Sequence, residues 1–291
     1  MLHSLVVLLL PARPAVLPAT LGRHAHAALL GIVKAADPEL AAEMHDTESE
    51  KPFTVSPLQG PLESDGTGRV RMQVGGEYWL RFTFLADALY ETVSRFFLET
   101  ASAVLPLEEV TFTVMRVTST SSQDTKWSGF ATFEKLWEEA KPVDGLAMRF
   151  YSPTCFRVTE SRGRSRNVAE PSLWHCVQSW VSRWNRFAPP ALSFERDRLL
   201  EFVQQTAQLR RANIETRSLD FGAYRKTGFV GRVEWVIGPA RGTSFAEVDA
   251  GEMCRQLDAL ASFAFYCGTG YKTTMGMGQT RRVGTARRGE R

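Results

Sequence analysis

The stretch richest in chemical possibility is Gly268-Thr269-Gly270-Tyr271-Lys272-Thr273-Thr274-Met275-Gly276-Met277-Gly278-Gln279-Thr280-Arg281-Arg282. Glycines at this density let a backbone approach a ligand closely and turn successive N–H groups toward an anion. Lys272, Arg281 and Arg282 add positive charge. Two nucleotide-binding patterns are testable against it. A P-loop has glycine directly before its lysine and a helix after it; here Tyr271 precedes Lys272 and a strand pattern follows. The dinucleotide fingerprint G-x-G-x-x-G fails too, because five residues separate Gly270 from Gly276. An ATP or NAD site is not expected. The cysteines Cys155, Cys176, Cys254 and Cys267 are scattered without a CxxC pair, as in a reduced cytosolic protein. With no clustered carboxylates or Cys/His set, neither a metal nor a cofactor is expected.

These residues need elements to position them. Leu5–Leu10 reads as a strand, and 22–36 as a helix with Leu29, Ile32, Val33 and Ala36 at helical spacing. Asp37-Pro38 punctuates the chain, and 39–44 continues as a short helix. Residues 69–74 and 77–85 flank Gly75-Gly76, a two-residue hairpin signal. A helix over 86–103 and a strand over 109–117 complete a βαββαβ order, the ferredoxin-like unit. The second half repeats it: a strand over 146–152, a helix with Leu173, Val177, Trp180, Val181 and Trp184 on one face, and a helix over 193–209. Strands over 214–221 and 229–237, a helix over 245–265 and a last strand near 277–283 finish it. The expected fold is therefore α+β, two tandem ferredoxin-like domains over 1–117 and 146–283, joined by a connection over 118–145 and followed by a disordered basic tail, 284–291. Phe53 and the tryptophans are assigned to the core.

Charge is distributed unevenly. Residues 1–145 hold 12 Lys and Arg against 19 Asp and Glu, whereas 146–291 hold 23 against 13. A basic half beside an acidic one suggests that part of the chain faces a polyanion. The apolar start lacks a basic n-region and runs into Pro11 and Pro14, so it is expected to be a buried strand rather than a targeting signal. No later apolar run reaches membrane-spanning length, and a cytoplasmic location is expected.

The glycine-rich loop, lying between a last helix and a terminal strand, resembles the C-terminal motif of the RAMP superfamily. Within it the match is to the endoribonucleases that process CRISPR precursor RNA, the Cas-six family. Further blocks carry the resemblance: 27–33 followed by 36–41, 44–46 and 51–58 near the start, then 148–157 and 227–233. The resemblance implies a protein that binds a CRISPR repeat RNA and cuts it without a metal. A ribose 2′-hydroxyl attacks the adjacent phosphorus, leaving a 2′,3′-cyclic phosphate and a free 5′-hydroxyl. It also implies a histidine shortly after the first helix and a lysine a few residues later, here His45 and Lys51, as proton carrier and transition-state stabiliser. Some relatives carry a tyrosine on the first helix. In this chain Arg23, His24 and His26 stand there, and the first tyrosine is Tyr78. His24 and His26, two residues apart, face different sides, and His26 is the second catalytic candidate. The RNA-binding candidates are Gly268, Gly270, Lys272, Gly276, Gly278, Arg281 and Arg282, with the basic loop Arg162, Arg164 and Arg166. Arg149, Arg157, Arg225 and Arg232 are further candidates for the same surface. Other subunits of a CRISPR effector complex are possible partners, and the rival reading is a subunit of this superfamily that coats guide RNA without cutting it.

Overall fold

The computed structural model describes residues 1–46, 50–121, 126–159, 163–221, 224–239 and 241–284, with the side chains of residues 45 and 46 outside that description. The protein is α+β, and its residues group into two compact units. The first comprises Met1–Ala131, Ser218–Lys226 and Lys272–Met277; the second takes the other described residues.

In the first unit, β1 (Leu2–Pro11) is followed by β2 (Ala15–Pro18), α1 (Gly22–Ala36), α2 (Pro38–Asp46), β3 (Phe53–Val55), β4 (Glu63–Ser64), β5 (Arg69–Met72), β6 (Tyr78–Phe84), α3 (Asp87–Glu99), β7 (Val104–Leu107), β8 (Val110–Thr118) and β9 (Gly129–Ala131). The main sheet runs β3-β6-β1-β8-β7, with β9 also on β1. The apolar start is thus a central strand, antiparallel to β6 and β8. Alternation sends Leu5, Val7 and Leu9 to one face, where they join Ala25, Leu29 and Val33 of α1 and Leu89 and Val93 of α3 in one core.

The Gly75-Gly76 hairpin does not form as expected. Both edges of β6 are taken, by β1 and β3, so β5 pairs instead with β2 and β4 in a separate three-stranded sheet. The intervening turn closes on itself, the Tyr78 hydroxyl accepting from the Gln73 amide at 3.0 Å.

The second unit begins with α4 (Phe133–Glu139), then β10 (Gly145–Thr154), β11 (Phe156–Thr159), β12 (Ser165–Val168), α5 (Leu173–Phe187) and α6 (Arg196–Thr206). Next come β13 (Ala207–Asp220), β14 (Arg225–Ile237), α7 (Glu247–Cys267) and β15 (Thr280–Arg282). The sheet order is β13-β14-β10-β15. β13 starts directly where α6 ends, so the helix expected over 193–209 gives up its last residues to a long strand. α5 buries Leu173, Cys176, Val177, Trp180, Val181 and Trp184, a stripe at helical spacing. No described helix is long and apolar enough to cross a membrane.

Candidate active site

α1 carries the centre of the site. It buries Gly22, Ala25, Ala28, Leu29, Ile32 and Val33, and His26 stands half-buried on the shoulder of that stripe. A Cβ on Gly22 would lie 2.0 Å from the Met275 carbonyl oxygen. Only glycine lets the start of α1 approach the short 3₁₀ turn Thr273–Met275 this closely. One helical turn further on, His26 Nδ1 lies 2.8 Å from the Thr274 carbonyl. A carbonyl oxygen can only accept, so Nδ1 carries the proton and Nε2 is the acceptor of the neutral ring. The Phe53 ring walls one side, its centroid 5.5 Å from the imidazole. Burial holds the His26 pKa below the ordinary histidine value; the Thr274 carbonyl opposes that, and the positive charges of Lys272 and Lys51 push it lower still.

Two lysines distant in sequence thus act on one imidazole. Lys51 is half-buried and donates its Nζ to the Met44 carbonyl in the last turn of α2, where the helix dipole favours a cation. Lys272 stands in the left-handed region, with φ of 57°. Its Nζ lies 5.3 Å from the Phe221 ring centroid and 5.1 Å from that of Tyr224. His45 is the penultimate residue of α2, and its side chain lies outside the described residues. His24 turns away from the site and pairs with Glu108, as the two-residue spacing required.

The loop glycines have a packing role that sequence reading did not show. A Cβ on Gly270 would meet the Cys155 carbonyl oxygen at 2.3 Å, and one on Gly278 the Thr269 carbonyl oxygen at 2.1 Å, with φ values of +80° and +70°. Gly268 ends α7 and donates to the Ala264 carbonyl; Gly276 is also in the left-handed region. Several N–H groups of the loop are engaged internally. Thr269 donates to the Gly278 carbonyl, Tyr271 to Cys155, Gly278 to Pro153, and Gly270 to the Ser179 hydroxyl. The loop is a tightly folded mount for the Lys272 side chain.

In the second unit, strand alternation separates two neighbouring arginines. Arg282 is paired with the buried Asp258 carboxylate of α7 at 2.5 Å. Arg281 lies opposite Arg149, which lies opposite Arg232 on its other side, so three arginines stand in register across β15, β10 and β14. Like charges directly opposite one another are unfavourable without a counter-charge. Glu234 supplies part of it, 2.8 Å from Arg232. Arg149 also lies over the exposed Tyr151 ring, and Arg281 over Phe265. Arg164 and Arg166 are exposed on the β11–β12 hairpin, Arg157 lies over Tyr271, and Arg225 pairs with Asp220. Arg162 lies outside the described residues.

Four tryptophans, Trp79, Trp127, Trp137 and Trp174, are half-buried rather than part of the core expected of them. Trp79 and Trp127 are half-buried and line an open pocket of about 330 Å³ with Arg116 and Lys126. The residues that sequence reading missed altogether are Phe221 and Tyr224. Their signal, two aromatic residues on either side of Gly222-Ala223 in the sequence, acquires meaning only through the position of Lys272.

Among the described residues no group of three or more His, Cys, Asp or Glu could hold a metal ion. The first unit holds a half-buried imidazole under the charge of two lysines, and the second holds three arginines in register; cations of this kind suit a phosphodiester polymer. The comparisons agree. The model of the CRISPR Cas6 N-terminal domain matches residues 1–138, and that of the CRISPR-associated endoribonuclease Cas6 matches residues 148–280. The chain belongs to the Cas6 family of CRISPR RNA-processing endoribonucleases. Among solved structures, a Cas6 (TTHB231) product complex from Thermus thermophilus is 27% identical, with 97% of this chain and 100% of that one covered at a TM-score of 0.79. A Cas6 (TTHA0078) product complex is 26% identical, with 97% and 99% covered at 0.69. The product of a Cas6-related gene from Pyrococcus furiosus, 12% identical with 97% and 99% covered, shares the fold at 0.64. No curated protein matches the chain.

Proposed function

We propose that this protein cuts the repeat of a precursor CRISPR RNA by metal-independent transesterification. The observation that carries this reading is the His26 imidazole held on the Thr274 carbonyl, in the short turn that Lys272 opens, in a chain of this family. His26, with Nε2 as acceptor, takes the proton of the attacking 2′-hydroxyl; the 2′-oxygen bonds to phosphorus and the bond to the 5′-oxygen breaks. The leaving oxygen gains a proton, and His45 is the candidate donor. The lysines stabilise the negative charge that builds on the phosphorane. The products are a 2′,3′-cyclic phosphate and a 5′-hydroxyl.

Lys272, Arg149, Arg232 and Arg281, with Arg164 and Arg166, form the RNA contacts of this reading, and the loop glycines act by shaping the mount of Lys272. Relatives with the same fold have been captured with product and with a substrate mimic, which supports RNA as the ligand. The order β3-β6-β1-β8 of the first sheet parallels β13-β14-β10-β15 of the second, which supports two ferredoxin-like copies, over 1–117 and 146–283.

The test is cleavage of the cognate repeat RNA in EDTA. His26→Ala is expected to slow single-turnover cutting by about 10²–10⁴-fold while leaving repeat affinity within about twofold. A rate lost only in His45→Ala would move the principal proton carrier to α2. Tight binding with no cutting by the unmodified protein would favour a guide-RNA-binding subunit, and activity restored only by a divalent ion would overturn metal independence.

A further inference from the structure

Lys272 is held in an unusual setting for a phosphate-facing lysine. Its Nζ is 5.3 Å from the Phe221 centroid and 5.1 Å from the Tyr224 centroid, and those two rings stack on each other at 5.3 Å. Phe221 is buried, whereas Tyr224 is 42% exposed. The Met275 sulfur adds a contact to Nζ at 3.3 Å. The hairpin tip is itself tied down: the Asp220 amide donates to the Thr20 hydroxyl at 3.1 Å, the Phe221 amide to the Tyr224 carbonyl at 2.9 Å, and Arg23 of α1 reaches the Phe221 carbonyl at 3.5 Å. A lysine stem has four rotatable bonds, and holding its ammonium at one point costs rotamer entropy. Two ring faces lower that cost by cation–π attraction, which fixes where the charge sits without neutralising it as a carboxylate would.

We propose that Tyr224, backed by Phe221, is a positioning residue that holds the Lys272 ammonium beside His26. The cradle deepens the catalytic reading given above and rests on it for its consequence in cleavage, but not for its geometry. Among the described residues, the groups facing His26 are Thr274 and Lys272 from the glycine-rich loop, Phe53 from β3 and Lys51 just before it. On the hairpin side Tyr224 is flanked by Lys226, 5.4 Å from its ring, and by the Arg225–Asp220 pair. The charges acting on His26 from these elements are both positive, so a lysine that swings away relieves the imidazolium and raises the His26 pKa.

The test reads His26 directly, by NMR titration of the histidine ring nitrogens in the full chain, assigned with His26→Ala. Lys272→Met is expected to raise the His26 midpoint. Tyr224→Leu, at an exposed position, is expected to raise it in the same direction, and Tyr224→Phe, which keeps the ring, to retain the starting value. Repeat cleavage by Tyr224→Leu is expected to fall roughly tenfold, with its acid limb moved to higher pH, and Tyr224→Phe to recover it. A Tyr224→Leu titration identical to the starting protein, with Lys272→Met shifted, would overturn the cradle. So would an unmoved midpoint in Lys272→Met. Midpoints that shift as expected, with a cleavage pH profile that follows none of them, would establish the cradle and remove His26 from the chemistry.

Discussion

At the residue scale, His26 depends on a partner that lies 248 positions away, the Thr274 carbonyl. That one acceptor decides the tautomer and therefore which ring nitrogen can take a proton. Burial and two lysine charges keep the ring neutral at pH values where an ordinary histidine has begun to charge. If His26 acts as the base, the acid limb of the pH–rate profile lies below the ordinary histidine value of 6.5, and Lys51→Met moves it upward. Single-turnover rates between pH 5 and 8 measure both. An acid limb at or above 6.5 would remove His26 as the base. Lys272 was recognisable in the sequence as the one lysine of a glycine-rich loop. Lys51 was recognisable only through a family resemblance. Nothing local marked Tyr224.

At the scale of elements, the two exposed-face and buried-face glycines of α1 make a controlled pair. Gly22 abuts the Met275 carbonyl, whereas a Cβ on Gly31 would find nothing within 4 Å. Gly22→Ala is expected to destabilise the fold by about 1–3 kcal/mol and to slow cleavage, because the helix and the turn bearing Thr274 must separate. Gly31→Ala removes a glycine from a helix interior and is expected to stabilise by about 0.5–1 kcal/mol with cleavage unchanged. Thermal melts of the two variants decide it; a neutral Gly22→Ala would mean that the close approach is not needed. The helices and central strands were legible because their apolar periodicity is strong: α1, α5 and β1 fall where the pattern puts them. The pairing of β5 was not, because Gly75-Gly76 is a local signal and the partners of β6 are chosen by which strands can bury its apolar faces.

At the scale of the whole molecule, two properties follow from charge. His3, His26 and His175 are all held below the ordinary histidine value, with burial the largest cause in each. The unfolded chain therefore binds protons that the folded one resists, so the stability these groups contribute is present above pH 6.5 and is lost as the pH falls toward their lowered values. Melting temperatures are expected to drop between pH 7.5 and 5.5, and to drop less when His175, stacked on Phe156, is replaced by phenylalanine. An equal drop would assign the acid sensitivity elsewhere. The second property is salt dependence. Arg149→Ala is expected to weaken repeat binding across sequences and to lower the slope of log affinity against log salt by about 0.7, the share of one phosphate contact on single-stranded RNA. An unchanged slope would show that the arginine row does not face the RNA.

The amino-acid sequence by itself determined the class of fold, the order of its elements, the skewed distribution of charge and the family, because each is written in local periodicity, composition or contiguous motifs. The tertiary structure alone decided which side chains meet. His26, Lys51, Lys272 and Tyr224 come from a helix, a strand approach, a loop and a hairpin. Their chemistry depends on distances of a few ångströms between groups far apart along the chain, and no pattern confined to one segment specifies such distances.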